Sequence, residues 1–142
     1  MEKDATQNGS MQKEGTPEQT EDMPEQAAAS AYEPFTQARY DAARAANRPI
    51  LLYFYANWCP FCREQDPRFA RVIPGHDGGV VALRVNYNDA ETDDDERALA
   101  RAFGVTYQHT MFFIGSDGEV KKKVIGTISD AQTIEYLDLI SK

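Results

Sequence analysis

The sequence predicts a single α/β domain with a mixed sheet. Its early strands run parallel, an antiparallel hairpin follows near the C-terminus, and helices cover both faces. Three observations predict it. The continuous apolar run Ile50-Leu51-Leu52-Tyr53-Phe54-Tyr55 leads into Trp58-Cys59-Pro60-Phe61-Cys62, and the polar run Arg63-Glu64-Gln65-Asp66 leads out. That reads as a buried strand, a short turn and a helix opening at the first cysteine. Strand-like and helix-like stretches then alternate, so the first two strands are joined through a helix and should be parallel, with a right-handed crossover. Last, the apolar runs 111–114 and 120–125 flank Gly115-Ser116-Asp117-Gly118, a hairpin signal. At 142 residues the chain suits one domain.

Taken in order, residues 1–30 are rich in Glu, Gln, Thr, Ala and Pro and nearly free of large apolar residues. Such a segment buries too little surface to offset chain entropy and is expected to be a disordered acidic and polar leader. The domain is expected over 31–142, with order beginning near Tyr32. Phe35, Ala38, Ala42 and Ala45 fall at helical spacing, and Asn47-Arg48-Pro49 ends that helix. The run from Ile50 to Tyr55 suits a central strand covered on both faces. The helix from Cys59 reaches about Val72 and contains Pro67, which should kink it. Pro74 to Gly79 is turn chemistry, and His76 within it is read as exposed loop filler.

Val80 to Val85 is β-branched and reads as the second buried strand. The acidic run Asp89–Glu96 lacks the glycine and closing glutamate of a calcium hand. It fits the start of a helix whose apolar positions are Leu99 and Phe103, with Gly104 as its stop. After the hairpin, Ser129 and Gln132 have capping-box spacing, and Ile134, Leu137 and Ile140 give the last helix its apolar stripe. The resulting order is helix, strand, helix, strand, helix, strand, strand, helix.

Net charge is −8. Binding of nucleic acid or an anionic membrane through a basic face is therefore not expected. No apolar run is long enough to span a bilayer, and the opening Met1-Glu2-Lys3-Asp4 is not a secretory signal. The polar leader is compatible with a tether.

The chemistry centres on Cys59 and Cys62, the two cysteines of the chain. Unpaired N–H groups and the positive end of the helix dipole favour a thiolate at a helix start. That lowers the thiol pKa and raises the share of reactive anion. Cys59 is thus the expected nucleophile, and Cys62, one turn on, can close a disulfide with it. A structural zinc needs about four ligands, and only His76 and His109 could complete one. Inert core thiols are the other bland reading, at odds with a Trp-Cys-Pro beginning at a strand end.

These residues carry a family resemblance. From Tyr32 to Lys142 the chain resembles thioredoxin-fold proteins, especially their envelope-facing branch. The aromatic strand running into Ala56-Asn57-Trp58-Cys59 matches, as do Pro67, Phe103-Gly104-Val105, the turn Asp117-Gly118-Glu119-Val120, and Gly126. Three positions depart from the family. The buried acid usual six residues before the first cysteine is Tyr53. The residues between the cysteines are Pro60-Phe61. The proline that faces the cysteines through a cis bond is replaced by His109, within Gln108-His109-Thr110.

A cis bond before a non-proline residue costs about 3–4 kcal/mol, so Gln108–His109 is expected to be trans, with a rebuilt loop and the imidazole near Cys59. His109 is either a filler of that site or a functional group. As imidazolium it would lower the Cys59 pKa; as a neutral base it could take the Cys62 proton.

The resemblance implies a protein thiol–disulfide oxidoreductase with Cys59 and Cys62 in catalysis, to which the aligned position and the chemistry of the imidazole add His109. It implies substrate binding by Trp58, Pro60, Phe61, Gln108, Thr110 and Gly126, Gln108 through a short β-like backbone contact. No organic cofactor and no metal are implied. Expected partners are protein disulfides or dithiols and a redox partner, with the chain a monomer. An extracytoplasmic, periplasmic or membrane-tethered setting is favoured, the cytoplasm being the alternative. The rival from another class is a Cu(I) chaperone using Cys59, Cys62 and His109, since soft thiolates suit Cu(I). A redox-inactive interaction module is disfavoured by an intact CxxC expected to be exposed.

Overall fold

Ile50 to Phe54 are all buried, which a strand covered on both faces allows without polar alternation. The computed structural model describes residues 29–141. Its elements are β1 (Ala31–Pro34), α1 (Gln37–Ala45), β2 (Ile50–Tyr55), α2 (Pro60–Val72), a 3-10 turn (Ile73–Gly75), β3 (Val81–Asn86), α3 (Asp94–Ala102), β4 (Thr110–Ile114), β5 (Val120–Ile125) and α4 (Asp130–Ile140). They build one five-stranded sheet of order β1-β3-β2-β4-β5. β3 runs parallel to β1 and β2, whereas β4 is antiparallel to β2 and β5. This is the expected mixed α/β sheet with one strand more.

The period of two along β2 splits the core. Leu51 and Tyr53 pack with Phe69 and Ile73 of the α2 side, Met111 and Phe113 of β4, and Leu137 and Ile140 of α4. Ile50, Leu52 and Phe54 face the other way, with Ala43 of α1, Leu99 and Ala100 of α3, and Phe112. Helices thus cover both faces, and β2 ends between them at the cysteine turn.

Caps fix where the helices begin. Asp93 and Glu96 form a reciprocal capping box on α3, and Ser129 and Gln132 form one on α4. The acidic run is therefore helix-start chemistry, as expected. Gly104 stops α3 at φ +67, a left-handed conformation that suits glycine.

Three expectations are corrected. β1 was not foreseen; it lies at the sheet edge, and Ser30 before it is already part of the fold. Ser30 is buried, its N–H donates to the His76 carbonyl at 3.0 Å, and its Oγ accepts from the Val80 N–H at 2.9 Å. The rest of the expected leader, residues 1–28, lies outside the described residues.

The first helix starts at Gln37, capped by the Thr36 hydroxyl, and its buried residue is Ala43. Ala38, Ala42 and Ala45 are exposed, and buried Phe35 precedes the helix. Alanines spread around the helix gave periodicity no contrast to read.

His76 is not exposed filler: its side chain is only 8% exposed. Its Nδ1 accepts from the Gly78 N–H at 3.1 Å, so its Nε2–H donates to Asp138 Oδ1 at 2.7 Å. Through these bonds it fastens the loop after α2 to α4.

Candidate active site

Cys59 is the N-cap of α2, with extended backbone (φ −86, ψ 118) and Pro60 in the first turn. Proline suits this place because its missing N–H would have no helical partner. Cys59 Sγ accepts the Cys62 N–H at 3.3 Å, which puts the first sulfur against one of the free donors of the helix start. Both cysteines are free thiols. Cys62 is fully buried and Cys59 is only 3% exposed, against the expectation of an exposed CxxC. The surface beside it belongs to Trp58 and Phe61, which are 49% and 64% exposed.

The loop after β3 holds the tryptophan. Trp58 Nε1 donates to the Asn88 carbonyl at 2.9 Å, and Asn88 takes φ +57, a turn conformation asparagine tolerates. Asp89 accepts the Asn57 N–H at 2.9 Å and the Asn86 side-chain amide at 3.0 Å. Burial pushes its pKa up, but these bonds and those from Glu91 and Thr92 outweigh that and hold the carboxylate below its usual range. A groove of about 630 Å³ opens beside Trp58, lined in part by Tyr87, Arg97, Arg101 and Val105.

Opposite the cysteines, Gln108–His109 is trans, as expected: the described residues contain no cis peptide. His109 has φ +64. Its N–H donates to the Phe54 carbonyl at 2.6 Å and its carbonyl accepts the Gly126 N–H at 3.1 Å. The loop is thus pinned between the end of β2 and the residue after β5.

The imidazole is aimed at Cys62, where Cys59 had been expected. Nδ1 stands 3.5 Å from Cys62 Sγ and 2.9 Å from the Tyr53 hydroxyl, and Nε2 is 2.9 Å from Thr127 Oγ1. The Phe61 ring stacks on it, with centroids 6.3 Å apart. Burial lowers the His109 pKa, favouring the neutral ring. An imidazolium acting on Cys59 therefore finds no support, and a neutral acceptor beside Cys62 does.

Burial also pushes the Cys62 thiol up to about 11, against which hydrogen bonds to the Ala56 backbone and the Tyr53 hydroxyl act. Tyr53, in the place of the family's acid, is buried and its pKa is raised by that burial and by the nearby Cys62, so it is a neutral phenol.

Among the expected substrate-binding residues, Trp58, Pro60 and Phe61 are exposed around Cys59, and Gln108 and Gly126 are half-buried. Thr110 is not brought to this surface. It is 1% exposed, and its hydroxyl donates to the Tyr107 carbonyl at 2.8 Å. The copper alternative lacks a ligand cluster: no group of three or more His, Cys, Asp or Glu among the described residues could hold a metal ion. No helix among them is long and apolar enough to cross a membrane.

Sequence reasoning passed over Thr127 and Gln65, and took Tyr53 only as a missing acid. Gln65 is fully buried and its Oε1 accepts the Ile128 N–H at 2.9 Å, which fixes the loop carrying Thr127 onto α2. A signal existed for two of them. Gln65 is a polar residue on the helix face of Cys62, and Tyr53 places a hydroxyl within an apolar strand.

A family model described as Thioredoxin matches residues 31–138. The TPR repeat-containing thioredoxin TDX of Arabidopsis thaliana is 32% identical over 90 residues, covering 63% of this chain and 22% of that protein. A thioredoxin of Borreliella burgdorferi is 31% identical over 78 residues, covering 55% of this chain and 62% of its own. The chain therefore spans less than two thirds of the length of these relatives. Among solved structures, Trxlp from Edwardsiella tarda superposes with a TM-score of 0.63 at 25% identity, covering 75% of this chain and 98% of that one.

Proposed function

The chain belongs to the thioredoxin family of thiol–disulfide oxidoreductases, and from that premise we propose that it exchanges disulfides with protein substrates through Cys59 and Cys62. The observation that carries this reading is the asymmetry of the two thiols. Cys59 sits at the helix start with its sulfur on a backbone N–H, next to exposed Trp58 and Phe61. Cys62 is sealed beneath, with its pKa raised to about 11 and a neutral imidazole 3.5 Å away. Such a pair suits one attacking and one resolving role.

In the reducing direction, the Cys59 thiolate attacks a substrate disulfide. A Cys59–substrate S–S bond forms, and the other substrate sulfur leaves as a thiolate. Cys62 then loses its proton and attacks Cys59 Sγ. The Cys59–Cys62 disulfide forms, the second substrate thiolate departs, and two electrons have passed to the substrate. A separate redox partner resets the pair. In reverse, the same steps oxidise a dithiol.

His109 supports the second step as a neutral base in the Cys62 pocket, its Nδ1 3.5 Å from the thiol sulfur. Trp58, Pro60 and Phe61 give the substrate a surface on which to dock, and the Gln108 backbone is free to pair with an extended substrate segment.

Trapping tests this reading. With insulin as the disulfide substrate, Cys62→Ser should accumulate an adduct that dithiothreitol releases, and Cys59→Ser should not. Capture by Cys59→Ser would reverse the roles, and capture by neither would remove the proposal.

A further inference from the structure

The buried Tyr53 hydroxyl has no part in the exchange steps above, yet it meets the same imidazole nitrogen as Cys62. Nδ1 of His109 is 2.9 Å from Tyr53 Oη and 3.5 Å from Cys62 Sγ, and Nε2 is 2.9 Å from Thr127 Oγ1. A neutral imidazole has one acceptor nitrogen and one N–H. The Tyr53 O–H and the Cys62 S–H therefore cannot both donate fully to Nδ1. Cys62 and Tyr53 are also hydrogen-bond neighbours, so one pattern gives every donor an acceptor: S–H to the Tyr53 oxygen, the Tyr53 O–H to Nδ1, and Nε2–H to Thr127. Burial runs in step with this chain. Cys62 and Tyr53 are wholly buried, His109 is 7% exposed, and Thr127 is exposed.

We propose that Tyr53, His109 and Thr127 form a proton relay that carries the Cys62 thiol proton to solvent during the resolving step. The inference rests on the exchange reading and deepens it. In the relay, Tyr53 takes the Cys62 proton as it passes its own to Nδ1. The imidazole releases its Nε2 proton to the Thr127 hydroxyl, which hands one to water. Cys62 is left as a thiolate that accepts from Tyr53, and the ring ends as the other neutral tautomer. One proton has left, no group stays charged except the sulfur, and no oxidant or reductant is needed. The thiolate then attacks Cys59 Sγ.

The other groups near the relay fit it. Cys59, Tyr32 and Tyr55 are the other titratable groups packed at this centre, and Phe61 covers the open face of the ring. Burial is the cause of the lowered His109 pKa, which keeps the ring in the neutral form that relays.

The test uses 5,5′-dithiobis(2-nitrobenzoate), limiting, with the reduced full chain in stopped flow. Attack by Cys59 releases one thionitrobenzoate, and resolution by Cys62 releases a second, so each trace contains both steps. Tyr53→Phe should slow the second release relative to the first on the order of 100-fold, the low end for a positioned acid or base. It should also shift the pH profile of that release upward and remove its slowing in D2O. Thr127→Val should slow the second release too, although Thr127 does not touch the thiol. Being exposed, Thr127 keeps the test available should Tyr53→Phe fail to fold.

An unchanged second release in either variant overturns the relay and leaves the exchange reading standing. A Cys59→Ser protein that gives its single release as fast as the native first step, with Cys62→Ser giving none, overturns the exchange reading itself.

Discussion

His109 holds φ +64 with a β-carbon, a conformation that costs roughly 1–2 kcal/mol outside glycine. Its side chain supplies the compensation: Nδ1 and Nε2 both have hydroxyl partners, in a site that is only 7% exposed. Two substitutions separate these contributions. His109→Ala keeps the backbone strain and leaves the buried Tyr53 hydroxyl without its acceptor, an expected loss of about 1–3 kcal/mol. His109→Gly loses the same bonds but relieves the strain, so it should be more stable than His109→Ala by up to about 1 kcal/mol. Urea denaturation of both variants measures the order. If His109→Ala is the more stable, the left-handed backbone is not the constraint described. At this scale the sequence displayed Cys59, Cys62 and His109, because motif spacing is local. It did not display the Tyr53–His109 and His109–Thr127 contacts, which join residues 56 and 18 positions apart.

Among the elements, α3 ties its own start to the loop after β3, which holds the Trp58 side chain. Glu96 Oε1 accepts the Asp93 N–H at 3.0 Å, and its Oε2 accepts the Asn86 N–H at 2.7 Å at the end of β3. Asp93 satisfies only the Glu96 N–H. Asp93→Ala should therefore cost about 1 kcal/mol, the usual value of a cap. Glu96→Ala should cost more, about 1–3 kcal/mol, because it also orphans the Asn86 N–H. Asn86 and Asp89 hold the tryptophan loop, so only Glu96→Ala should move the emission of Trp58, the single tryptophan. An equal emission shift in both variants would disconnect the cap from the loop. α4 was legible through its capping residues, α3 through its acidic start and the Gly104 stop, and the hairpin through its glycines. β1 was not: Ala-Tyr-Glu-Pro has no periodicity, and its pairing is with β3, far along the chain. The two exposed residues of that strand, Glu33 and Pro34, also fit an edge position, where hydrophobic patterning is weakest.

Across the whole molecule, the two halves of the core meet through β2, and Ser30 marks where the N-terminal segment joins them. Removing residues 1–28 is expected to leave Tm nearly unchanged, from their composition. Extending the deletion through Pro34 strips β1 from β3 and should lower Tm by several degrees, since each kcal/mol is worth about 4–8 °C in a domain of this size. Equal losses in both would show that residues before Ala29 contribute to stability. Titration sets the second dependence. His109 is held below its ordinary 6.5, so below that pH the unfolded chain binds the proton more readily. Its contribution is complete above pH 6.5 and is lost as pH falls towards its lowered folded value. Cys62 is raised from 9.0 to about 11, so the folded chain keeps that proton longer. This contribution is complete below pH 9.0 and is lost as pH rises through about 11. Tyr32 and Tyr53, both pushed above 10.0, deepen the alkaline fall. Glu96, raised from 4.5 mainly by burial, acts with the opposite sign to His109 but in a lower window, just above 4.5. Stability should therefore be greatest between about pH 6.5 and 9, falling on both sides. Tm measured from pH 4 to 11 checks it, with His109→Gln expected to flatten the limb below 6.5 and Cys62→Ser the onset near 9. An acid limb unchanged in His109→Gln would mean that the imidazole is not kept neutral by burial at this site.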